Sequence, residues 1–181
     1  MHTIPPILDG DFRFFALDVE TANTQRGSIC QLGIAGVRHD NTIETWTSYV
    51  DPQTDDWSCT HIHGITGDHV LGAPLIADVL DLWDAPLMGA VIYQHSGFDK
   101  AAIVAACRTY QRDAPDWTWR DSVQVARKAW PELKGNGGHG LASLKRHLNL
   151  SFRHHDAGED ARAAAQVVLA AEAHTGVPQP A

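Results

Sequence analysis

Between Phe12 and Glu20 the chain reads Phe-Arg-Phe-Phe-Ala-Leu-Asp-Val-Glu, a compact apolar run that ends in two acids. Such a run reads as a strand covered on both faces. Side chains alternate along a strand, so Asp18 and Glu20 share one face. Two carboxylates side by side there repel each other and lose hydration, and without compensation one takes up a proton. Two readings remain open. Either the strand end emerges into water, where the pair is harmless, or a divalent cation removes the conflict. Oxygen-only ligands suit Mg²⁺ or Mn²⁺.

The rest of the chain sets this strand in a recognisable order. Residues 29–39 and 43–50 read as two more strands joined by the turn Asp40-Asn41, which predicts an antiparallel meander. Residues 73–84 place Leu75, Val79, Leu82 and Trp83 at helical spacing. Residues 88–94 read as a buried strand. Residues 97–112 read as a helix with Ile103, Val104, Cys107 and Tyr110 along one face. A short strand over 116–122 and a helix over 123–130, ended by Pro131, come next. Another short helix covers 141–148, and a last helix runs from about Ala157 to Ala173, stopped by Gly176 and Pro178. Strands first, then alternating helices and strands, predict an α/β fold with a mixed sheet. The expectation is one domain over residues 1–181 with a core at about 12–173 and short tails, because 181 residues suffice for one sizeable core.

The net charge of −8 is unevenly spread. Residues 1–99 carry 3 basic and 14 acidic side chains, and residues 100–153 carry 10 basic and 4 acidic. The basic segment is a candidate phosphate-facing side, against a random scatter of surface charge. No apolar stretch approaches the ~20 residues of a membrane span, and no signal peptide is read at the N-terminus. Cys30, Cys59 and Cys107 are odd in number and widely spaced, which points away from a disulfide framework and toward a reducing cytoplasm.

Three further places put polar groups in notable company. Asp99 follows the strand predicted at 88–94; alone it reads as a helix-start acid, but sites in open α/β sheets form outside strand ends. In His154-His155-Asp156-Ala157-Gly158-Glu159-Asp160, positions five apart differ by about 140° around a helix. His155 and Asp160 therefore cannot share a helix face, so His155 belongs on the preceding loop with Asp156 near the N-cap. Asp160 then stands one turn in, at the margin of a small-residue stripe, and Glu159 faces solvent. Taken alone, Asp160 reads as an acid favoured by the helix dipole, worth only ~0.3–1 kcal/mol. Finally, Cys59, His61 and His63 alternate and raise a zinc site, though no fourth ligand at a recognisable spacing follows. His2, His39, His69 and His174 are expected on the surface.

Together these residues resemble the DEDDh branch of the DnaQ-like 3′→5′ exonucleases. Asp18, Glu20 and Thr21 match the family's first motif, acid-x-Glu-Thr. His95-Ser96-Gly97-Phe98-Asp99 matches its second, and His155, Ala157 and Asp160 match its third, His-x-Ala-x-x-Asp. The match spans about residues 12–173 in the right order. One departure is Ser96, where the family often carries Asn; a hydroxyl lacks the amide's two donors.

The resemblance implies a ribonuclease-H-like fold, a five-stranded mixed sheet flanked by helices. It also implies two Mg²⁺ or Mn²⁺ ions about 4 Å apart on the scissile phosphate. Asp18 would bridge them, Glu20 and Asp160 complete the first site, and Asp99 supports the second. His155 would be the general base toward the attacking water. Thr21, His63 and Phe98 would meet the terminal nucleotide, and Arg127, Lys128, Lys145 and Arg146 are candidates for backbone contacts. The expected substrate is the 3′ end of nucleic acid, single-stranded DNA before all, releasing nucleoside monophosphates. An exoribonuclease acting on short RNA, and a non-catalytic nucleic-acid-binding module with the same fold, are the alternatives. The motifs do not name a polymerase or repair partner, and no membrane partner is expected.

Overall fold

The protein's structure, a computed structural model, describes residues 3, 4, 6, 7 and 10–181. Strands β1 (Phe12–Thr21), β2 (Ile29–Arg38) and β3 (Ile43–Tyr49) form the antiparallel meander. Strands β4 (Val91–Gln94) and β5 (Thr118–Asp121) add to β1 in parallel, giving a five-stranded mixed sheet in the order β3-β2-β1-β4-β5.

Helices cover both faces of this sheet, and the alternation along β1 decides which residue meets which layer. Phe15, Leu17 and Val19 pack into one apolar cluster with Val79, Leu80 and Trp83 of α3 (Ile76–Asp84) and Ile103 and Ala106 of α4 (Phe98–Thr109). Phe14 and Ala16 pack into the other. There they meet Val125 of α5 (Ser122–Ala129), Leu144 of α6 (Leu141–His147) and the alanines and valines of α7 (Ala157–Thr175). Asp18 and Glu20 continue the row of Phe14 and Ala16, so they lie under α7. Cover on both faces is why β1 reads as nearly unbroken apolar sequence.

Several boundaries differ from the sequence expectation. Met88 is exposed and Gly89 takes a left-handed turn at φ +71°, so β4 begins at Val91 rather than Met88. Helix α3 begins at Ile76 and buries Ile76, Val79, Leu80 and Trp83, leaving Leu82 exposed on its outer side. Residues 60–63 form the short helix α1 (Thr60–His63), followed by α2 (Gly67–Val70), where alternation suggested a strand. His39, His69 and His174 are exposed as expected; His2 lies outside the described residues.

Helix and sheet come into backbone contact at the start of α7. Gly33 stands opposite Asp18 in the β1–β2 ladder. A Cβ on Gly33 would land on the Ala157 carbonyl group and the Gly158 nitrogen, and a Cβ on Gly158 would strike Thr47 Oγ1. The Ala157 N–H donates to Gln31 Oε1 at 2.9 Å. Backbone thus rests on backbone, a contact that only missing side chains permit. It sets the height at which the first turn of α7 crosses the ends of β1 and β2.

Candidate active site

Strand β1 delivers Asp18 and Glu20 from below, and the first turn of α7 delivers Asp160 from above. Oxygen atoms of these three carboxylates lie within 4.8 Å of one another. Glu20 is 9% exposed, and Asp99 and Asp160 are each 3% exposed. Asp99 enters from the start of α4, where its Oδ1 accepts the Val19 N–H at 3.1 Å. That bond pins α4 to β1 between the two acids of the strand.

Burial and mutual repulsion act on these groups as the sequence pattern implies. Burial first, then Asp99, Asp160, Glu20 and Asp156, pushes the Asp18 carboxyl well above the usual carboxylate range. Burial, then Asp160, Asp99 and Asp156, pushes Glu20 up to about 8. Burial raises Asp99 to about 7 against the opposing pull of the Val19 N–H. Protons therefore take the place that positive charge would otherwise fill. Hard oxygen donors converging within bonding reach of one point fit a divalent cation, which would replace those protons.

The loop before α7 wraps around Asp160. The His155 N–H donates to Asp160 Oδ2 at 2.8 Å, and His154 Nδ1 lies 2.9 Å from both carboxylate oxygens. The two imidazoles stack with centroids 4.1 Å apart and planes 15° apart. His155 has left-handed backbone at φ +67°, which takes it off the helix axis, and Asp156 caps the helix by accepting the Glu159 N–H. Burial, then the neighbouring His154, holds the His155 imidazole below its ordinary value, so it stays neutral near pH 7.

The remaining candidates divide. Thr21 is buried, and its carbonyl lies 3.0 Å from His63 Nε2. His63 Nδ1 accepts the Ile65 N–H at 3.0 Å, so Nε2 carries the proton and donates to Thr21. Both ring nitrogens of His63 are thereby engaged with backbone, and the ring faces are what it can offer a ligand. Phe98 is 39% exposed beside Asp99. His95 ties its strand end to the neighbouring loop, with Nε2 3.0 Å from the His139 carbonyl and Nδ1 2.9 Å from Ser122 Oγ. Ser96 adopts φ +105°, a region that Asn and Gly enter more readily than Ser. Lys145 donates to the Phe152 carbonyl at 2.5 Å and covers that ring. Arg127 lines a hollow of about 480 Å³ with Lys134 and His139.

Cys59, His61 and His63 do not form a zinc site. Cys59 is the N-cap of α1, His61 Nδ1 meets the Ser58 carbonyl and His63 turns to Thr21. Among the described residues the clustered metal-ligand groups are Asp18–Glu20–Asp160 and His154–His155–Asp160. Sequence reasoning gave no role to His154, Gln31 or Gly33. A glycine inside an apolar strand is a signal for close backbone approach, and it marks Gly33.

Comparison with known proteins shows the family and the fold. The family model described as Exonuclease (RNase_T) matches residues 15–168. The DNA polymerase III PolC-type of Streptococcus thermophilus is 27% identical over 161 residues, covering 86% of this chain and 11% of that protein. The PolC-type polymerase of Caldanaerobacter subterraneus is 26% identical over 165 residues, covering 90% of this chain and 12% of that protein. The chain thus spans about a tenth of the length of these relatives.

Among solved structures, exonuclease X in complex with 5′ overhanging duplex DNA aligns with TM-score 0.71 and 19% identity over 91% of this chain and 93% of that one. The nuclease domain of 3′hExo, a DEDDh family member bound to rAMP, aligns with TM-score 0.69 and 18% identity over 90% and 93%. The E. coli ExoI–ssDNA complex in its zinc-bound form aligns with TM-score 0.72 and 18% identity over 90% and 41%. These neighbours share the ribonuclease-H-like fold. With the family model matched over residues 15–168, most of the chain, the chain belongs to the exonuclease family (RNase_T) and is a nuclease.

Proposed function

We propose that the chain removes nucleotides one at a time from the 3′ end of single-stranded DNA and releases nucleoside monophosphates, with two Mg²⁺ or Mn²⁺ ions as cofactors. The observation that carries this reading is the convergence of Asp18, Glu20 and Asp160 oxygens within 4.8 Å, in a place where burial pushes the Asp18 and Glu20 carboxyls above the usual carboxylate range. Ions held there by Asp18, Glu20, Asp99 and Asp160 supply Lewis acidity toward the scissile phosphate. His155 supplies the base. Its imidazole is neutral near pH 7, lies on the loop that wraps Asp160 and can take a proton from an attacking water. Asp160, held by the His155 N–H, keeps the base and the ligand set in register. Thr21 and the ring faces of His63 and Phe98 border the terminal nucleotide.

Single-stranded DNA is favoured because the ExoI neighbour was solved with it, and the matched polymerases act in a DNA context. Residues 1–181 act as one exonuclease domain with its core at about 12–173. Among the described residues no helix is long and apolar enough to cross a membrane, and the three free cysteines suit a reducing cytoplasm.

One assay tests the reading: single-stranded DNA, duplex DNA and short RNA, each labelled at the 3′ end, with Mg²⁺ and with EDTA. The expected result is monophosphate release fastest from single-stranded DNA, abolished by EDTA and by Asp18→Ala. Full activity in EDTA or in Asp18→Ala overturns the metal account. Faster release from short RNA replaces the substrate assignment with an exoribonuclease, and strand binding without release leaves a binding module.

A further inference from the structure

Arg26 is one of only three cationic side chains in residues 1–99. The other two meet carboxylates: Arg13 donates to Glu172 and Arg38 to Glu44. Arg26 has no carboxylate partner among the described residues. Its guanidinium lies over the Phe98 ring, 6.0 Å from the centroid, at the outer edge of cation–π reach. Phe98 immediately precedes Asp99, so the exposed ring that carries this cation adjoins one of the site's buried acids in the chain.

The segment carrying Arg26 is held in place. It leaves β1 directly after the acids, and the Ala22 N–H donates to the Ser28 carbonyl at 2.8 Å. Ser28 Oγ donates to the Gln25 carbonyl at 2.7 Å, the Gln25 N–H to Asn23 Oδ1 at 2.9 Å and the Asn23 amide to the Asp56 carbonyl at 3.1 Å. Gly27 backs onto α4, where a Cβ would come within 3.3 Å of the backbone at Ala105 and Ala106. The loop backbone is thus fixed before any ligand arrives, which lowers the ordering cost of a contact.

A polyanion approaching four carboxylates is repelled unless cations meet it. A guanidinium engages a phosphodiester through two parallel N–H donors, and an aromatic face beside it accepts a base without regard to sequence. We propose that Arg26 grips the phosphodiester adjacent to the scissile one while the neighbouring base rests on Phe98, making Arg26 a strand-positioning residue. This rests on the reading that a single strand enters the acid cluster 3′ end first.

The test is binding, so it does not depend on hydrolysis. A fluorescein-labelled single-stranded oligonucleotide is titrated by anisotropy in Ca²⁺ buffer against wild type, Arg26→Lys and Arg26→Ala, over a range of salt. Thymidine monophosphate, which has no adjacent phosphodiester, is the control ligand. Arg26→Ala should weaken strand binding about tenfold and flatten the log–log salt slope by about 0.7, the share of one phosphate contact on a single strand. Arg26→Lys should fall between, since it keeps charge but loses the fork. Thymidine monophosphate affinity should stay within about twofold. Unchanged strand binding or an unchanged slope overturns the proposal. So does equal loss for strand and mononucleotide, which would reduce Arg26 to a prop for Phe98, and so does failure of the wild type to bind the strand. Nucleotide release in Mg²⁺ reads the exonuclease assignment separately: Arg26-dependent binding without release sinks that assignment and leaves the contact standing.

Discussion

The Nδ1 atom of His154 lies 2.9 Å from both carboxylate oxygens of Asp160, while the backbone of the next residue donates to one of them. Two adjacent histidines therefore do different work. His155 reaches Asp160 through its N–H, which leaves its stacked ring without a hydrogen bond to the acid, whereas His154 uses its ring on the acid. Partners of this kind fix a ligand's orientation and typically govern about 10–100-fold in metal affinity. His154→Ala should weaken Mn²⁺ binding by about that factor and leave kcat at saturating metal within about tenfold. His155→Ala should lower kcat by about 10²–10⁴ and spare metal affinity, because its N–H remains. Calorimetric Mn²⁺ titration beside single-turnover kinetics checks both. Loss of chemistry at saturating metal in His154→Ala, with His155→Ala near wild type, would exchange the two assignments.

The acid cluster also predicts how stability follows pH. Glu20 moves from 4.5 up to about 8 on folding, so the folded chain binds its proton more tightly than the unfolded one. Its stabilisation in metal-free protein is fully present below 4.5 and is lost as pH rises through about 8. Asp99 acts in the same sense between 3.8 and about 7. A divalent ion prefers the ionised carboxylates and restores the loss. The rise in Tm on adding Mg²⁺ should therefore grow between about pH 6 and pH 8, and Glu20→Gln should flatten the fall seen in EDTA. Scanning calorimetry at three pH values measures it; a Mg²⁺ effect that shrinks with pH would contradict the buried-acid account.

Asp18→Asn sets stability against function at one atom. The side chain keeps its shape and gives up a charge that the fold disfavours. In EDTA near pH 8 the variant should melt at higher temperature than wild type, by the equivalent of about 1–3 kcal/mol. In Mg²⁺ it should lose about 10³-fold or more in turnover, since it removes a charged ligand from the scissile phosphate's site. Thermal melts and initial rates on one preparation decide it, and an unstabilised variant would show that Asp18 is better hydrated than its burial implies.

What the sequence disclosed was the part set by periodicity and local chemistry. The run at Phe12–Glu20 revealed a covered strand and the shared face of its acids, and helix geometry separated His155 from Asp160. Contacts between distant segments carry no such period. The Val19–Asp99 bond spans 80 positions and the Gln31–Ala157 bond spans 126, and neither leaves a local pattern. Cys59, His61 and His63 misled because their alternation is equally a single helical turn, closed at Gly64 with φ +79°. Met88 misled because an apolar residue before a strand can equally sit exposed in the turn.

Gly33 offers the sharpest test of how the fold builds the site. It faces Asp18 in the ladder, and the first turn of α7 sits where its side chain would be. Gly33→Ala must lift that turn or bend β2, at a cost of about 1–3 kcal/mol. The lift also carries Asp160 away from Asp18 and Glu20, so Mn²⁺ affinity should fall by more than stability alone explains. Val37→Ala is the control: it lies buried farther along the same strand, opposite Phe14, and should lower stability by a similar ~1–3 kcal/mol without touching the acids. Thermal melts together with metal-dependent rates separate the two. If Gly33→Ala and Val37→Ala lost stability equally and both kept wild-type metal affinity, the height of α7 over the sheet would not be what brings Asp160 to its partners.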